Sequence, residues 1–325
     1  MKNNKELYLF PAKYVLAFFT IASLVFAGCN SANEDLAKKE SIKAKKEVIE
    51  SEEEAPEKET RDLSTKEATG NEIDKNKEIN TGKENLSPTL DIAAGNENFN
   101  EYLPIFMFHY IRDYPADSPD QLGYRLSFSP EKFEQFLKFF KENNIQTLTF
   151  WDLKDILEGK KKLPEKSVML TFDDGHLDHY QNAFRILEKY DMKGVFFIIA
   201  NRPGQDGNYA DWEQIKEMSD RGNEIASHTV SHLDLRTLSK EEIKVELEKS
   251  KEILEEKTGK PVISFCYPAG KYDGQIISLV QENYLFARTT KAGKHFSVSE
   301  RYEIPTVRMF PDTSVSSLRI WFKVN

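Results

Sequence analysis

Hydrophobic residues follow two alternating patterns between residues 103 and 309. Runs of four to eight mostly apolar residues predict strands buried on both faces. Longer stretches in which apolar residues recur every three or four positions predict amphipathic helices. The predicted strands are 103–110, 147–150, 167–172, 195–200, 224–228, 262–267, 285–289 and 302–309. The predicted helices are 129–140, 151–157, 178–189, 211–221 and 239–258. This alternation of strand and helix predicts a parallel sheet or barrel.

Several helix ends carry local signals. Ser129 followed by Pro130 predicts a helix start, because serine caps the first free N–H groups and proline fits the first helical position. Gly222 predicts a helix end, since glycine adopts the left-handed conformation found there. In the longest predicted helix, 239–258, paired Lys and Glu residues predict an exposed face.

The strand 167–172 ends at Asp173 and Asp174, with Gly175 following at once. In a parallel α/β protein, sites form at this end of the strands. Two neighbouring carboxylates in an apolar setting need a cation or a proton between them. A solvated Asp-Asp-Gly turn is the alternative interpretation.

Two histidines follow a second short strand. A spacing of four residues puts the imidazoles of His228 and His232 on one face of a helical turn. Together with an aspartate, they make the mixed nitrogen and oxygen environment that zinc accepts. Surface helices also produce this spacing by chance. The metal-site interpretation therefore depends on the histidine pair and the Asp-Asp-Gly stretch together.

The chain begins with a basic segment and an apolar run, 14–25, that is short for a membrane span. The run closes at Cys29 in a sequence that resembles a bacterial lipoprotein cleavage box. Residues 1–29 are therefore predicted to be a lipoprotein-type signal peptide, with Cys29 lipidated. We expect an exported protein, lipid-anchored to the bacterial cell membrane or outer membrane and facing the envelope or exterior. An uncleaved N-terminal anchor is the alternative.

Composition separates the next segment from the rest of the chain. Residues 30–100 contain 18 acidic and 11 basic residues and no aromatic residue before Phe99. Such a stretch cannot bury enough apolar surface to offset its ordering entropy, so it is predicted to be a disordered charged linker. The chain carries a net charge of −9, of which residues 101–325 carry −4. This balance argues against nucleic acid as a partner.

The Asp-Asp-Gly stretch and the histidine stretch resemble motifs of a known family. Thr-Phe-Asp-Asp-Gly at 171–175 and His-Thr-x-x-His at 228–232 resemble the first two motifs of the polysaccharide deacetylases, carbohydrate esterase family four. Tyr-Pro-Ala-Gly at 267–270 resembles the third motif of the branch acting on poly-N-acetylglucosamine. The resemblance makes 101–325 a polysaccharide deacetylase domain and implies an α/β fold, a distorted (β/α) barrel, often with seven strands, behind a disordered stalk.

The implied activity is metal-dependent hydrolysis of N-acetyl groups on a cell-surface or extracellular N-acetylglucosamine polymer. Peptidoglycan N-deacetylation and O-acetyl xylan esterase activity are alternatives on the same site. A catalytically impaired carbohydrate-binding lipoprotein is the non-enzyme alternative, since the usual C-terminal histidine motif is absent from the matching region, 303–309. The expected partners are the acetylated polymer and, through the lipid anchor, the membrane.

The resemblance also implies roles for the metal-site residues. Asp174, His228 and His232 are expected to bind one divalent metal, with zinc favoured and cobalt or nickel as alternatives. Asp173 is expected to stay off the metal and act as general base. Family members with the commoner third motif have an arginine that orients this base, and this chain lacks it there. Arg288 and Arg308 are candidates for that task.

The remaining expected site residues lie in other motifs. His109 resembles the N-terminal histidine of the poly-N-acetylglucosamine branch and is expected to be the general acid, although it could only line the pocket. The backbone N–H of Ala269 is a candidate oxyanion donor, and Tyr267 is expected to shape the sugar subsite. The pattern further predicts a rim position for His176, a surface position for His179 and a packing role for Cys266.

Overall fold

The computed structural model of the protein describes residues 89–324. The predicted signal peptide with Cys29, and linker residues 30–88, lie outside this range. The strands are β1 Asn100–Tyr102, β2 Ile105–Phe108, β3 Tyr110–Ile111, β4 Ser127–Phe128, β5 Gln146–Leu148, β6 Ser167–Phe172, β7 Val195–Ile198, β8 Glu224–Ser227, β9 Ser264–Cys266, β10 Phe286–Ala292, β11 His295–Ser297 and β12 Ile304–Arg308. The α-helices are α1 Gln121–Leu126, α2 Pro130–Glu142, α3 Phe150–Leu157, α4 Arg185–Tyr190, α5 Trp212–Asp220, α6 Lys240–Thr258, α7 Gly274–Gln281 and α8 Val315–Trp321.

Seven parallel strands close into a ring in the order β2, β12, β10, β9, β8, β7, β6 and back to β2. Strand β5 pairs with the first half of β6. Outside the ring, β1 pairs antiparallel with β11, and β3 pairs with β4. The predicted distorted seven-stranded (β/α) barrel is therefore confirmed.

Alternate residues of the barrel strands belong to two apolar clusters, because successive side chains of a strand point to opposite faces. Leu170 and Phe196 lie in the cluster that includes Phe133 of the surrounding helix α2. Met169 and Phe197 lie in the second cluster, which fills the ring and extends to α3 at its amino-terminal end. The interior is thus packed, and the open end of the barrel is where the strands finish.

Helix ends agree with their local signals. The Ser129 side chain accepts a hydrogen bond from the Lys132 N–H, and Gly222, at φ +90°, follows the last residues of α5.

Other elements differ from the prediction. The strand 103–110 is broken at His109, and the predicted helix 178–189 begins as a π-helix, His179–Phe184, before α4. Helices α1, α7 and α8 had no counterpart in the sequence prediction.

The ordered chain begins before residue 101, the predicted start of the domain. Leu90, Ile92 and Phe99 pack against the second apolar cluster, and the Ala93 N–H donates to the Leu157 carbonyl at 2.9 Å. These residues precede position 101, where the sequence analysis placed the start of the domain. Among residues 89–324, the structure contains no helix long and apolar enough to cross a membrane.

Glu224 is buried at the amino-terminal end of the barrel, 4% exposed. Its carboxyl accepts hydrogen bonds from the Phe150 N–H at 2.7 Å and the Ser264 hydroxyl at 2.6 Å. Burial raises the pKa of Glu224 to about 7 from 4.5, even though these hydrogen bonds favour the ionised form. The folded protein therefore holds this proton more tightly than the unfolded chain, and the stability it provides is lost as pH rises through about 7.

We expect Glu224→Gln to reduce the loss of stability between pH 5 and pH 8, because the amide stays neutral over that range. Between these two pH values, the wild type should lose at most about 3 kcal/mol more of its free energy of unfolding than the variant loses. Urea denaturation of both proteins at the two pH values measures it. Glu248→Gln, an exposed position on α6, is the matched control. Equal pH dependence in Glu224→Gln and the wild type would contradict the assignment.

Candidate active site

Asp173 follows β6 and continues its inward-facing alternation, so its carboxylate reaches the mouth of the barrel. The side chain is 4% exposed and is paired with Arg288 of β10, which is completely buried. Arg288 Nη2 donates to Asp173 Oδ1, and Arg288 Nη1 lies 3.1 Å from the Met107 sulfur. Burial lowers the pKa of Arg288 to about 9, which leaves it charged at neutral pH. Of the two arginines considered from the sequence, Arg288 contacts Asp173 directly.

Asp174, His228 and His232 converge at the same opening. Asp174 Oδ1 lies 3.4 Å from His228 Nε2 and 3.6 Å from His232 Nε2, and one ligand atom from each residue lies within 4.8 Å of the others. The His228 Nδ1 is 2.8 Å from the Cys266 carbonyl, to which it donates, so Nε2 is left as a lone-pair donor. Two imidazole nitrogens and a carboxylate oxygen at these separations fit a divalent metal.

The charge states of these groups also suit a metal. Burial and the neighbouring His228 lower the pKa of His232 to about 4, so its imidazole is neutral at neutral pH. Burial opposes ionisation of Asp174, but the interactions with the neighbouring His176 and His228 outweigh it and hold the pKa of that carboxyl well below its usual range. Metal ligands must be deprotonated, and these two groups already are.

A second cluster of donor atoms joins Asp173, His228 and Cys266. It is a poorer metal site for two reasons. Asp173 is already engaged by Arg288, and burial raises the pKa of the Cys266 thiol well above its usual range, so no thiolate is available. Cys266 is free and buried, which agrees with the packing role predicted for it.

The segment that carries the two histidines is a loop, so the prediction of a helical turn is wrong. Thr229 and His232 both have left-handed backbone conformations, with φ of 67° and 59°. The His232 N–H donates to the Thr229 hydroxyl at 2.9 Å. The imidazoles therefore meet through a folded-back loop, a geometry that residue spacing alone does not reveal.

Glu246 of α6 holds this loop in place. Its carboxylate accepts hydrogen bonds from the N–H groups of Val230 at 2.8 Å and Ser231 at 2.9 Å, and from the Ser231 hydroxyl. The side chain is buried, whereas the Lys and Glu pattern of this helix predicts an exposed face. Glu246 lies on the same side of the helix as the buried Ile243 and Ser250, and its hydrogen-bond partners belong to another element.

His109 lies where β2 ends and β3 begins. Its Nε2 is 3.9 Å from Asp173 Oδ2, and its side chain is 18% exposed. Burial lowers the pKa of His109 to about 3, against the opposing effect of Asp174, so the imidazole is neutral at neutral pH. The structure thus brings the expected acid and the expected base to the same side of the opening.

His179 and His176 are both buried, so the predicted surface and rim positions are wrong. The His179 Nε2 donates to the His109 carbonyl. Asn182, three residues later in the π-helix, donates from its side-chain amide to the Ile111 carbonyl at 2.7 Å. These bonds fix the break between β2 and β3. His176 stacks on Tyr110, and its Nε2 lies 3.3 Å from Asp174 Oδ2.

The structure corrects the role expected for Tyr267. Its side chain is completely buried, and its hydroxyl donates to the Tyr302 carbonyl at 2.9 Å, so the ring cannot contact a sugar. Ala269 is exposed and has φ 51°, a conformation unusual for alanine that occurs at functional turns. Gly270 cannot be replaced by a larger residue without displacing Thr290, since an added Cβ would lie 2.1 Å from its hydroxyl.

We expect Glu246→Ala to weaken the binding of Zn²⁺ or Co²⁺ by about 10- to 100-fold, the usual effect of removing a residue that orients metal ligands. The physical reason is loss of the charged acceptor for three donors of the histidine loop. Metal affinity measured by titration calorimetry checks this, with thermal unfolding to confirm folding. Glu248→Ala, two residues away and exposed, is the control. Unchanged affinity in a folded Glu246→Ala variant would rule out the positioning role.

The chain matches known proteins over the region just described. The sequence model of the family described as polysaccharide deacetylase matches residues 160–285. A Bacillus subtilis (strain 168) protein classed with the polysaccharide deacetylases is 32% identical over 216 residues, which are 66% of this chain and 74% of that protein. The poly-β-1,6-N-acetyl-D-glucosamine N-deacetylase of Staphylococcus aureus (strain MSSA476) is 29% identical over 60% of this chain and 72% of its own length.

A solved structure gives the same result. The Streptococcus pyogenes deacetylase, determined in complex with acetate, superposes with a TM-score of 0.63 at 28% identity, covering 68% of this chain and 97% of that one. With its seven-stranded barrel and this degree of similarity, the chain belongs to the polysaccharide deacetylase family, whose members are hydrolases acting on the carbon–nitrogen bonds of amides.

Proposed function

We propose that the protein removes N-acetyl groups from an N-acetylglucosamine polymer of the poly-β-1,6-linked type. The observation that carries this proposal is the convergence of Asp174, His228 and His232 beside the pair formed by Asp173 and His109. Similarity to the Staphylococcus aureus enzyme supports the choice of polymer. The presence of a histidine at the end of the first barrel strand supports the same branch.

Deacetylases of this family use a divalent metal, and the geometry of Asp174, His228 and His232 fits one. We assign these three residues as its ligands and favour zinc, because two imidazoles and one carboxylate are a common catalytic zinc set. When bound, such a metal lowers the pKa of the attacking water and polarises the acetyl carbonyl.

Asp173 would act as general base. Its pairing with buried Arg288 keeps the carboxylate oriented and compensates its charge in a low-dielectric setting. Oδ1 is taken by the guanidinium, whereas Oδ2 faces His109, so one oxygen is held and the other is free to accept a proton from water. The Ala269 N–H remains our candidate donor to the developing oxyanion.

His109 would deliver a proton to the leaving nitrogen. Because burial makes this imidazole neutral before the reaction, the proton must arrive during it. Asp173 would take it from the attacking water and pass it to His109. The present 3.9 Å separation exceeds a hydrogen bond, so the two groups must approach when substrate binds.

We further infer that the protein is exported and anchored by lipid at Cys29. This rests on the basic start, the apolar run and the cysteine that follows it in the sequence. The charged segment predicted between the anchor and the barrel would then let the barrel reach a polymer outside the membrane. Incorporation of a labelled fatty acid that disappears in Cys29→Ser tests the anchor.

We expect the full chain to release acetate and free amine from poly-β-1,6-N-acetylglucosamine faster than from peptidoglycan glycan or acetylated xylan. Asp173→Asn should keep its metal and lose about a hundredfold or more in turnover, the effect of a lost general base. Asp174→Asn should lose metal. Acetate release, together with metal analysis of each purified variant, measures both. Faster release from xylan would refute the substrate assignment, and equal metal loss would refute the division of roles.

We expect His109→Ala to lower turnover on an N-acetylated sugar by about a hundredfold without loss of metal. An acetate ester should be affected less, because an alkoxide leaving group needs a proton less than an amine does. Steady-state kinetics on both substrates measure the difference. His295→Ala, at an exposed histidine of β11, is the control. Wild-type turnover of the amide by His109→Ala would mean that the acid is another group.

A further inference from the structure

A cavity of about 600 Å³ lies at the same end of the barrel as the candidate active site. Its walls come from the segment after β3, from α1, from the start of α2 and from Pro311, which follows β12. Strands β2 and β12 are neighbours in the ring, and His109 follows β2 directly. The cavity is therefore built by segments that follow the same strand ends as the active site, and its size is within the range of about 300–1,000 Å³ typical of small-molecule sites.

A series of stacked side chains connects this cavity to Asp174. His176, whose Nε2 lies 3.3 Å from Asp174 Oδ2, stacks on Tyr110 with 4.0 Å between ring centroids. The guanidinium of Arg112 lies 3.7 Å from the centroid of Tyr110 and 4.8 Å from that of Tyr114. Arg112 and Tyr114 both line the cavity. Arg112 at the cavity is thus separated from Asp174 by the side chains of Tyr110 and His176.

The walls of the cavity are held by hydrogen bonds within the protein. Asp120 accepts from the Tyr114 hydroxyl at 2.9 Å and from the Gly123 N–H at 2.8 Å, so it fixes the tyrosine and caps α1 at once. Arg112 Nε donates to the Ser127 hydroxyl at 3.1 Å. The site is therefore formed before any ligand binds, which reduces the entropic cost of binding.

The charges in the cavity favour a neutral ligand over a cationic one. Among its lining residues Asp113 is the one carboxylate, whereas Arg112 and Lys132 are cations. Both cations donate to uncharged partners, Arg112 to a hydroxyl and Lys132 to the Pro311 carbonyl. Hydroxyl and acetamide oxygens can accept from such donors, while a glucosaminium group would be repelled.

We propose that this cavity is a second sugar subsite. It binds one N-acetylated glucosamine residue of the polymer while another residue of the same polymer loses its acetyl group at the catalytic centre. This inference rests on the N-deacetylase function proposed above. Arg112 and Lys132 supply donors to the acetamide and hydroxyl groups, and Tyr114 and Tyr124 supply ring faces to the sugar. The subsite would therefore favour acetylated stretches and reject stretches that the enzyme has already deacetylated.

The test uses the full chain and the pentamer of β-1,6-linked N-acetylglucosamine. Arg112→Met and Tyr124→Ala should each raise the KM for the pentamer about tenfold, with little change in kcat and in the rate on 4-nitrophenyl acetate, which is too small to reach the cavity. Tyr102→Ala, at an exposed tyrosine on β1, should match the wild type. A pentamer with one glucosamine inserted should bind the wild type more weakly than the fully acetylated one.

Binding is also measured by calorimetry in the Asp173→Asn background, where turnover is suppressed. A Kd for the acetylated pentamer that rises about tenfold on adding Arg112→Met or Tyr124→Ala supports the subsite. An unchanged Kd in both double variants overturns it, even if the enzyme deacetylates the polymer. Loss of the ester rate in both variants would also overturn it, since the cavity residues would then act on the catalytic centre. Failure of the wild type to deacetylate a pentamer that it binds would instead count against the proposed function alone.

Discussion

The buried pair between Arg288 and Asp173 is the interaction on which the active site depends. A guanidinium and a carboxylate inside a barrel are each costly to bury alone, and they are tolerated there because they compensate each other. Arg288 belongs to β10 and Asp173 follows β6, so the pair forms only when the ring of strands is closed. The orientation of Asp173, the proposed base, therefore depends on closure of the barrel. The pair also leaves Oδ2 of Asp173 facing His109, which makes the two oxygens of one carboxylate chemically different.

The neighbouring groups proposed to bind the metal are held by parts of the chain far from them in sequence. Glu246 on α6 fixes the loop between His228 and His232, and the Cys266 carbonyl on β9 sets the tautomer of His228. On the other side, His179 in the π-helix fixes the backbone at His109. Irregular backbone at these places is stabilised by charged or directional hydrogen bonds from regular elements. This arrangement explains how left-handed residues and a broken strand can present atoms at defined separations.

The two ends of the barrel differ in role, with one affecting stability and the other carrying the candidate active site. At the amino-terminal end, Glu224 is buried among hydrogen-bond donors and apolar residues, and it affects stability through its raised pKa. At the carboxyl-terminal end, Asp173, Asp174 and the histidines lie beside a cavity whose walls are aromatic and cationic. This division is typical of (β/α) barrels, in which strand starts stabilise the fold and strand ends carry chemistry. If the cavity is a second sugar subsite as proposed, a long polymer would contact this end of the barrel at more than one sugar.

The strand and helix alternation, the strand-end position of Asp173 and the set of metal-binding candidates could all be predicted from the sequence, because these follow from local periodicity and from residue chemistry. The sequence left open which arginine orients Asp173, and it misjudged the positions of His176, His179 and Tyr267. Those three residues contact groups that are distant in sequence, so local polarity says nothing about their burial. The loop at 228–232 was also mistaken for a helical turn, since its left-handed residues are stabilised by bonds to α6. Only the tertiary structure decided these points, because hydrogen bonds and ion pairs between separate elements exist only once the barrel has closed.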